Sequence, residues 1–141
     1  MNERTLWAAM RKAVEPYAVL VRVESPISPG IPDVAYCIRG CGASGWLELK
    51  YLKAWPTRPA STVNIPTLTR EQVLFAETWH GAGGRAALLL QVGYWYGLLP
   101  PAAMRAVLDR QLTQAQMAGF TLGVGETTVF PAAALVARLR K

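Results

Sequence analysis

The sequence predicts an α/β domain, a mixed central sheet flanked by helices. Three patterns carry that expectation. Leu6, Trp7, Met10 and Val14 recur at helical spacing near the start. Short β-branched or alternating segments follow around 19–23, 33–38 and 46–52. A second, capped helix then leads into an apolar run at 86–93. With 141 residues, 52% of them apolar, the chain can bury one substantial core and has no room for a second independent one.

Each element has a local reason. Charged positions interleave the apolar ones over 3–15, giving an amphipathic helix and not a signal peptide. Val19-Leu-Val-Arg-Val23 reads as a strand, and 25–30, with two prolines and a glycine, as a loop. The Gly-rich turn from Arg39 to Gly45 joins strands at 33–38 and 46–52 into a hairpin. The connection 54–67 contains Pro56, Pro59 and Pro66, and its tip is either mobile or folded over substrate. Thr69, with Gln72 three residues on, caps a helix that runs to about Gly81. Residues 86–93 form a buried strand, and 94–99 either pair with it or leave the sheet. Pro100-Pro101 opens a helix whose stripe of Met104, Val107, Leu108, Leu112 and Ala115 covers the sheet or forms a homodimer contact. An edge strand at 121–124 and a closing helix at 131–140 complete the chain.

The chemistry concentrates between Gly30 and Lys50. In Trp46-Leu-Glu-Leu-Lys-Tyr51 alternate side chains point to opposite faces, so Glu48 and Lys50 share one face and Leu47, Leu49 and Tyr51 take the other. Asp33 follows Pro32, whose fixed φ and missing N–H suit a strand start or a bulge. Such an irregularity re-aims a carboxylate toward a neighbouring strand. Two converging carboxylates with an ammonium beside them suit a hard divalent cation and an activated water, the requirements of phosphodiester hydrolysis. Glu-x-Lys alone is a common surface pattern. The upstream Pro-Asp, the hairpin turn and the following helix give it its meaning here.

The motifs Gly30-Ile-Pro-Asp33, Glu48-Leu-Lys50 and Leu68-Thr-Arg-Glu-Gln72 resemble the PD-(D/E)XK nuclease superfamily, and within it the stand-alone VRR-NUC proteins of phages and bacteria. The resemblance covers roughly residues 3–93. It implies a restriction-endonuclease-like fold and a Mg²⁺- or Mn²⁺-dependent endodeoxyribonuclease. Asp33, Glu48 and the backbone carbonyl of Leu49 would hold the metal, Lys50 would orient or polarise the attacking water, and Gln72 would reach the same mouth. An acidic residue on the first helix, Glu3 in preference to Glu15, would join them. Branched or Holliday-type junctions would be the leading substrate and a homodimer the working form, with a 3′-hydroxyl and a 5′-phosphate as products. Rival readings are a structure-selective or nonspecific nuclease, and a non-catalytic DNA-binding or inhibitor protein on the same fold. The long Pro-rich connection before Gln72 departs from the family's pattern.

Fifteen basic against nine acidic residues, a net charge of +6, favour a polyanionic partner. Lys53, Arg58, Arg70 and Arg85 lie near the motifs in sequence and are the candidate phosphate contacts. Arg138, Arg140 and Lys141 either add another contact or complement a helix dipole. No apolar run reaches membrane-spanning length, which points to a soluble, cytoplasmic protein, and the phage resemblance would place it in the bacterial host. Cys37 and Cys41, with His80 as the sole histidine, are too few for a zinc site and read as free thiols. His80 suits a helix C-terminus better than catalysis. Trp46 and Trp79 read as core or core-edge residues, and Trp55 in the Pro-rich loop as the candidate for base stacking.

Overall fold

The computed structural model describes residues 1–24, 29–124 and 129–141. Residues 25–28, most of the expected first loop, lie outside that set. The elements run α1 (Glu3–Val14), β1 (Ala18–Arg22), β2 (Val34–Ile38), β3 (Ser44–Leu52), α2 (Arg70–Gly81), β4 (Ala86–Val92), β5 (Trp95–Leu99), α3 (Pro101–Leu108), α4 (Gln114–Met117), β6 (Thr121–Val124) and α5 (Ala132–Leu139). The strands form one six-stranded sheet in sequence order, and β3–β4 is its parallel pair among antiparallel neighbours. Parallel strands need a crossover, and α2 supplies it. That places α2 over the face that carries Glu48 and Lys50.

The sheet is covered on both sides. On one, Leu6, Met10 and Val14 of α1 pack with Leu135, Val136 and Leu139 of α5 against Leu47, Leu49 and Leu89. On the other, Val73 and Ala76 of α2 and Met104 and Val107 of α3 pack against Leu88 and Leu90. Three successive fully buried leucines in β4 follow from burial on both faces. The C-terminal third is thus built into the core, since α5 closes on α1 and β5 and β6 extend the sheet.

Two expectations need correction. The stripe from Met104 to Ala115 does not lie on one helix. α3 ends at Leu108, Arg110 takes a positive φ of 58°, and Ala115 is exposed on α4 while Met117 is buried. Met104 and Val107 face the second core, and Leu108 and Leu112 pack partly buried against it, so the stripe covers the sheet. Beyond its exposed tip, 57–60, the Pro-rich connection is part of the core and not loop alone. Val63, Ile65 and Leu68 are buried in the second core, and the Val63 N–H donates to the Leu112 carbonyl at 2.7 Å. Trp55 packs edge-on against Trp95, with ring centroids 4.9 Å apart.

Candidate active site

Strand alternation and one irregularity assemble the site. β2 and β3 pair from Val34↔Leu47 to Cys37↔Ser44, and the ladder stops just short of Asp33. Where the strands part, Asp33 Oδ2 accepts the Leu49 N–H at 2.8 Å, a bond that replaces the next rung. Pro32 is buried immediately before it. Gly30 has a φ of +95°, and a Cβ there would sit 2.6 Å from the Glu71 carbonyl oxygen. Only glycine lets this segment pass so close to the start of α2.

Glu48 and Lys50 point from β3 to the α2 side and are each 3% exposed. Lys50 Nζ donates to the Thr67 carbonyl at 2.8 Å and lies 3.7 Å from Glu48 Oε1. Gln72 Nε2 donates to the same Glu48 oxygen at 3.2 Å. The other oxygen, Oε2, is buried and finds no donor among the described residues. Burial pushes the Glu48 carboxyl up to about 9, the neighbouring Asp33 carboxylate adds to that, Lys50 opposes it and Glu3 adds a smaller push.

Glu3 arrives from the first turn of α1, where its Oε1 accepts from the Thr67 hydroxyl at 3.3 Å. Glu15 sits past the other end of that helix, about 18 Å away at 1.5 Å per residue, and its carbonyl accepts from Arg39 Nε. Of the two acidic residues, the fold brings Glu3 to the mouth. Thr67 escaped the sequence reading altogether. It contributes a backbone carbonyl and a hydroxyl, and no residue-type signal distinguishes such a role within a Pro-rich loop.

The candidate phosphate contacts divide. Lys53, Arg58 and Arg70 are exposed on the segment between β3 and the first turn of α2, which reaches the mouth at Thr67 and Gln72. Arg85 does not join them. It precedes β4, level with Gly45 and Trp46 instead of Lys50, and its Nη1 donates to the Leu139 carbonyl at 3.1 Å. Sequence proximity to the motifs misplaced it, because a parallel strand begins at the far end of its neighbour.

The donor set suits magnesium better than zinc. Among the described residues no group of three or more His, Cys, Asp or Glu could hold an ion alone, and Cys37 and Cys41 are free and exposed. Two carboxylates with a backbone oxygen are the partial shell that Mg²⁺ completes with waters and substrate phosphates. The buried, donorless Oε2 of Glu48, with a second carboxylate beside it, is an acceptor that a cation would satisfy.

No family signature and no curated sequence matches this chain. Among solved structures, the Holliday junction resolvase Hjc from the archaeal hyperthermophile Archaeoglobus fulgidus is similar over 99% of this chain and 98% of its own, at 20% identity and a TM-score of 0.53. A VRR_NUC domain is similar over 78% of this chain and 97% of its own, at 14% identity and a TM-score of 0.44. The likeness to the resolvase is one of fold. It extends through the C-terminal third and gives the chain a restriction-endonuclease-like fold.

Proposed function

We propose that this protein is a metal-dependent endodeoxyribonuclease, with branched DNA its leading substrate. The observation that carries the reading is the buried Glu48, with one oxygen lacking a donor, set against Asp33 and held beside Lys50. A buried carboxylate set against a second, partly exposed one is costly to the fold with Lys50 as its one neighbouring cation among the described residues, and a further charge-compensating ion explains its retention. The resolvase fold supports the nuclease class, and the net charge of +6 supports a polyanionic partner.

Asp33, Glu48 and the Leu49 carbonyl would hold Mg²⁺ or Mn²⁺, with Glu3 close by. Bound there, the ion supplies charge stabilisation at a phosphoryl oxygen and lowers the pKa of a water. Lys50 is fixed by the Thr67 carbonyl, so its ammonium is pre-positioned to orient the attacking water and to meet negative charge as it develops. Gln72 sets the rotamer of Glu48 from α2. Water attacks phosphorus and the 3′-oxygen leaves, giving a 3′-hydroxyl and a 5′-phosphate. Lys53, Arg58 and Arg70 meet the phosphate backbone around the mouth and read shape more than sequence. Paired cuts in a junction require two such sites on a two-fold axis, so a homodimer belongs to the proposal.

The test is cleavage of matched four-way-junction, flap and linear duplex DNA in Mg²⁺ or EDTA, for the wild type and Glu48→Gln. Metal-dependent paired nicks confined to the junction and lost in the variant are the expected result. Absence of cleavage in both Mg²⁺ and Mn²⁺, with DNA binding unaffected by the substitution, would leave a binding protein on a nuclease fold.

A further inference from the structure

We infer that the protein carries a second nucleic-acid contact at the opposite end of β3 from Lys50, a basic groove that takes an unpaired strand. The inference rests on the DNA reading above and extends it to a surface that the catalytic constellation does not use. Between the turn that precedes β3 and the turn that follows α2 lies a cleft of about 710 Å³, with Arg85 and Arg140 in its lining. An adjoining cleft of about 370 Å³ shares Arg85 and adds Arg138, Lys141 and His80. Among the described residues no aspartate or glutamate side chain lines either one.

Four of the fifteen Lys and Arg residues therefore meet in one place, with no compensating acid among the described residues. They come from two distant parts of the sequence. The bond from Arg85 Nη1 to the Leu139 carbonyl joins those parts and fixes the guanidinium. Cations at the end of α5 complement its dipole. Arg85 lies on no helix, so the dipole does not account for it. The cleft also has an aromatic wall. Trp79 is 42% exposed, and its ring is braced by stacking on Phe75 at 5.5 Å and by the edge of Trp46 at 5.8 Å. Gly42 and Gly83 leave the lining open where they stand, whereas Gly45 and Gly84 admit the close approach of Arg85 and of one side of the Trp79 ring. Fixed cations beside a rigid, partly exposed indole are the pattern that binds single strands, phosphates on the cations and a base on the ring.

The spacing fits a substrate that also reaches the catalytic mouth. Five residues of β3 separate Gly45 from Lys50, about 17 Å at 3.3–3.4 Å per residue. At the duplex rise of about 3.4 Å a strand covers that gap in about five nucleotides, and an extended unpaired strand needs no more than that. A DNA end or branch with an unpaired arm of at least that length would engage both sites.

The test uses the full chain in EDTA, with fluorescence anisotropy of labelled oligothymidine and of a blunt duplex at several salt concentrations. Arg138→Ala/Arg140→Ala should weaken oligothymidine binding at least about tenfold and lower the salt slope by about 1.4, two single-strand phosphate contacts. Oligothymidine should quench wild-type tryptophan fluorescence, and Trp79→Ala should remove that quench with about a fivefold or greater loss of affinity. Because the Trp79 change could disturb α2, the wild-type quench and the arginine pair, which is exposed, stand independently of it. Unchanged oligothymidine binding in the arginine pair, absence of quenching, or an equal loss on the blunt duplex would each overturn the assignment. No hydrolysis takes part in the measurement, so a wild type that cuts nothing would defeat the nuclease reading and leave this result standing.

Discussion

Gln72 Nε2 donates to Glu48 Oε1 over 3.2 Å while its own Oε1 accepts the Thr69 N–H at 3.0 Å. One side chain thus closes the capping box of α2 and fixes a buried carboxylate of β3. The helix that crosses between the parallel strands is registered on the site through its first turn.

Gln72→Ala should therefore lose two things at once. Removal of a capping interaction costs about 0.5–2 kcal/mol. Thr69→Ala loses the cap alone, because its hydroxyl accepts the Gln72 N–H and touches nothing at Glu48. Thermal melts should fall in both variants, whereas cleavage rate and Mg²⁺ dependence should change markedly only in Gln72→Ala. Equal cleavage by the two would remove Gln72 from the site.

The raised Glu48 carboxyl predicts how stability depends on pH. In the unfolded chain the group ionises near 4.5 and in the metal-free fold near 9. Between these values the fold retains a proton that the unfolded chain releases, so stability is fully present below about pH 4.5 and is lost as pH rises toward 9. Glu48→Gln has no such titration. Melting curves of the metal-free protein from pH 5 to 9 should show this component of instability in the wild type alone, with the variant the more stable of the two at pH 8.5. Each kcal/mol corresponds to about 2–4 °C for a domain near this size. A variant less stable than the wild type at pH 8.5 would contradict the assignment.

Mg²⁺ should act on the same group. Binding to the folded state alone stabilises by RT ln(1 + [L]/Kd), about 2.7 kcal/mol at one hundred times Kd. Millimolar Mg²⁺ should raise the wild-type melting temperature most at alkaline pH, where the competing proton is weakest. Asp33→Asn and Glu48→Gln should each abolish that increment. An increment that survives in both places the ion elsewhere.

Gly30→Ala tests the route of the Pro-Asp segment. The residue has a left-handed φ, and a Cβ would meet the Glu71 carbonyl at 2.6 Å, so backbone must move. Destabilisation should exceed about 1 kcal/mol. Cleavage should fall further than stability explains, since Asp33 lies three residues on. A neutral substitution would mean that the approach of this segment to α2 is not required.

Lys50→Met separates chemistry from folding. Removing one partner of a buried pair costs about 3–5 kcal/mol where the other keeps its charge, and less here because metal-free Glu48 holds its proton until pH approaches about 9. The variant should fold, bind DNA and fail to cut. Retained cleavage would remove the ammonium from the mechanism.

Wherever the physics is local, the sequence alone determined the outcome. Period-two alternation set Glu48 and Lys50 on one face, Thr69 and Gln72 named the start of α2, and Pro-Asp marked the end of a ladder. Each depends on residues within a few positions of one another, so each is readable along the chain. Tertiary structure decided the rest. It brought Glu3 to the mouth and left Glu15 at the far end of α1, and it made Thr67 the anchor for Lys50. It carried Arg85 to α5, seated the Pro-rich connection in the second core through Val63 and Ile65, packed the partly buried Trp55 against Trp95, and left Trp79 exposed. These outcomes turn on which distant segments meet across the sheet. Strand order and helix packing set those meetings, and neither is encoded in the spacing of any single segment.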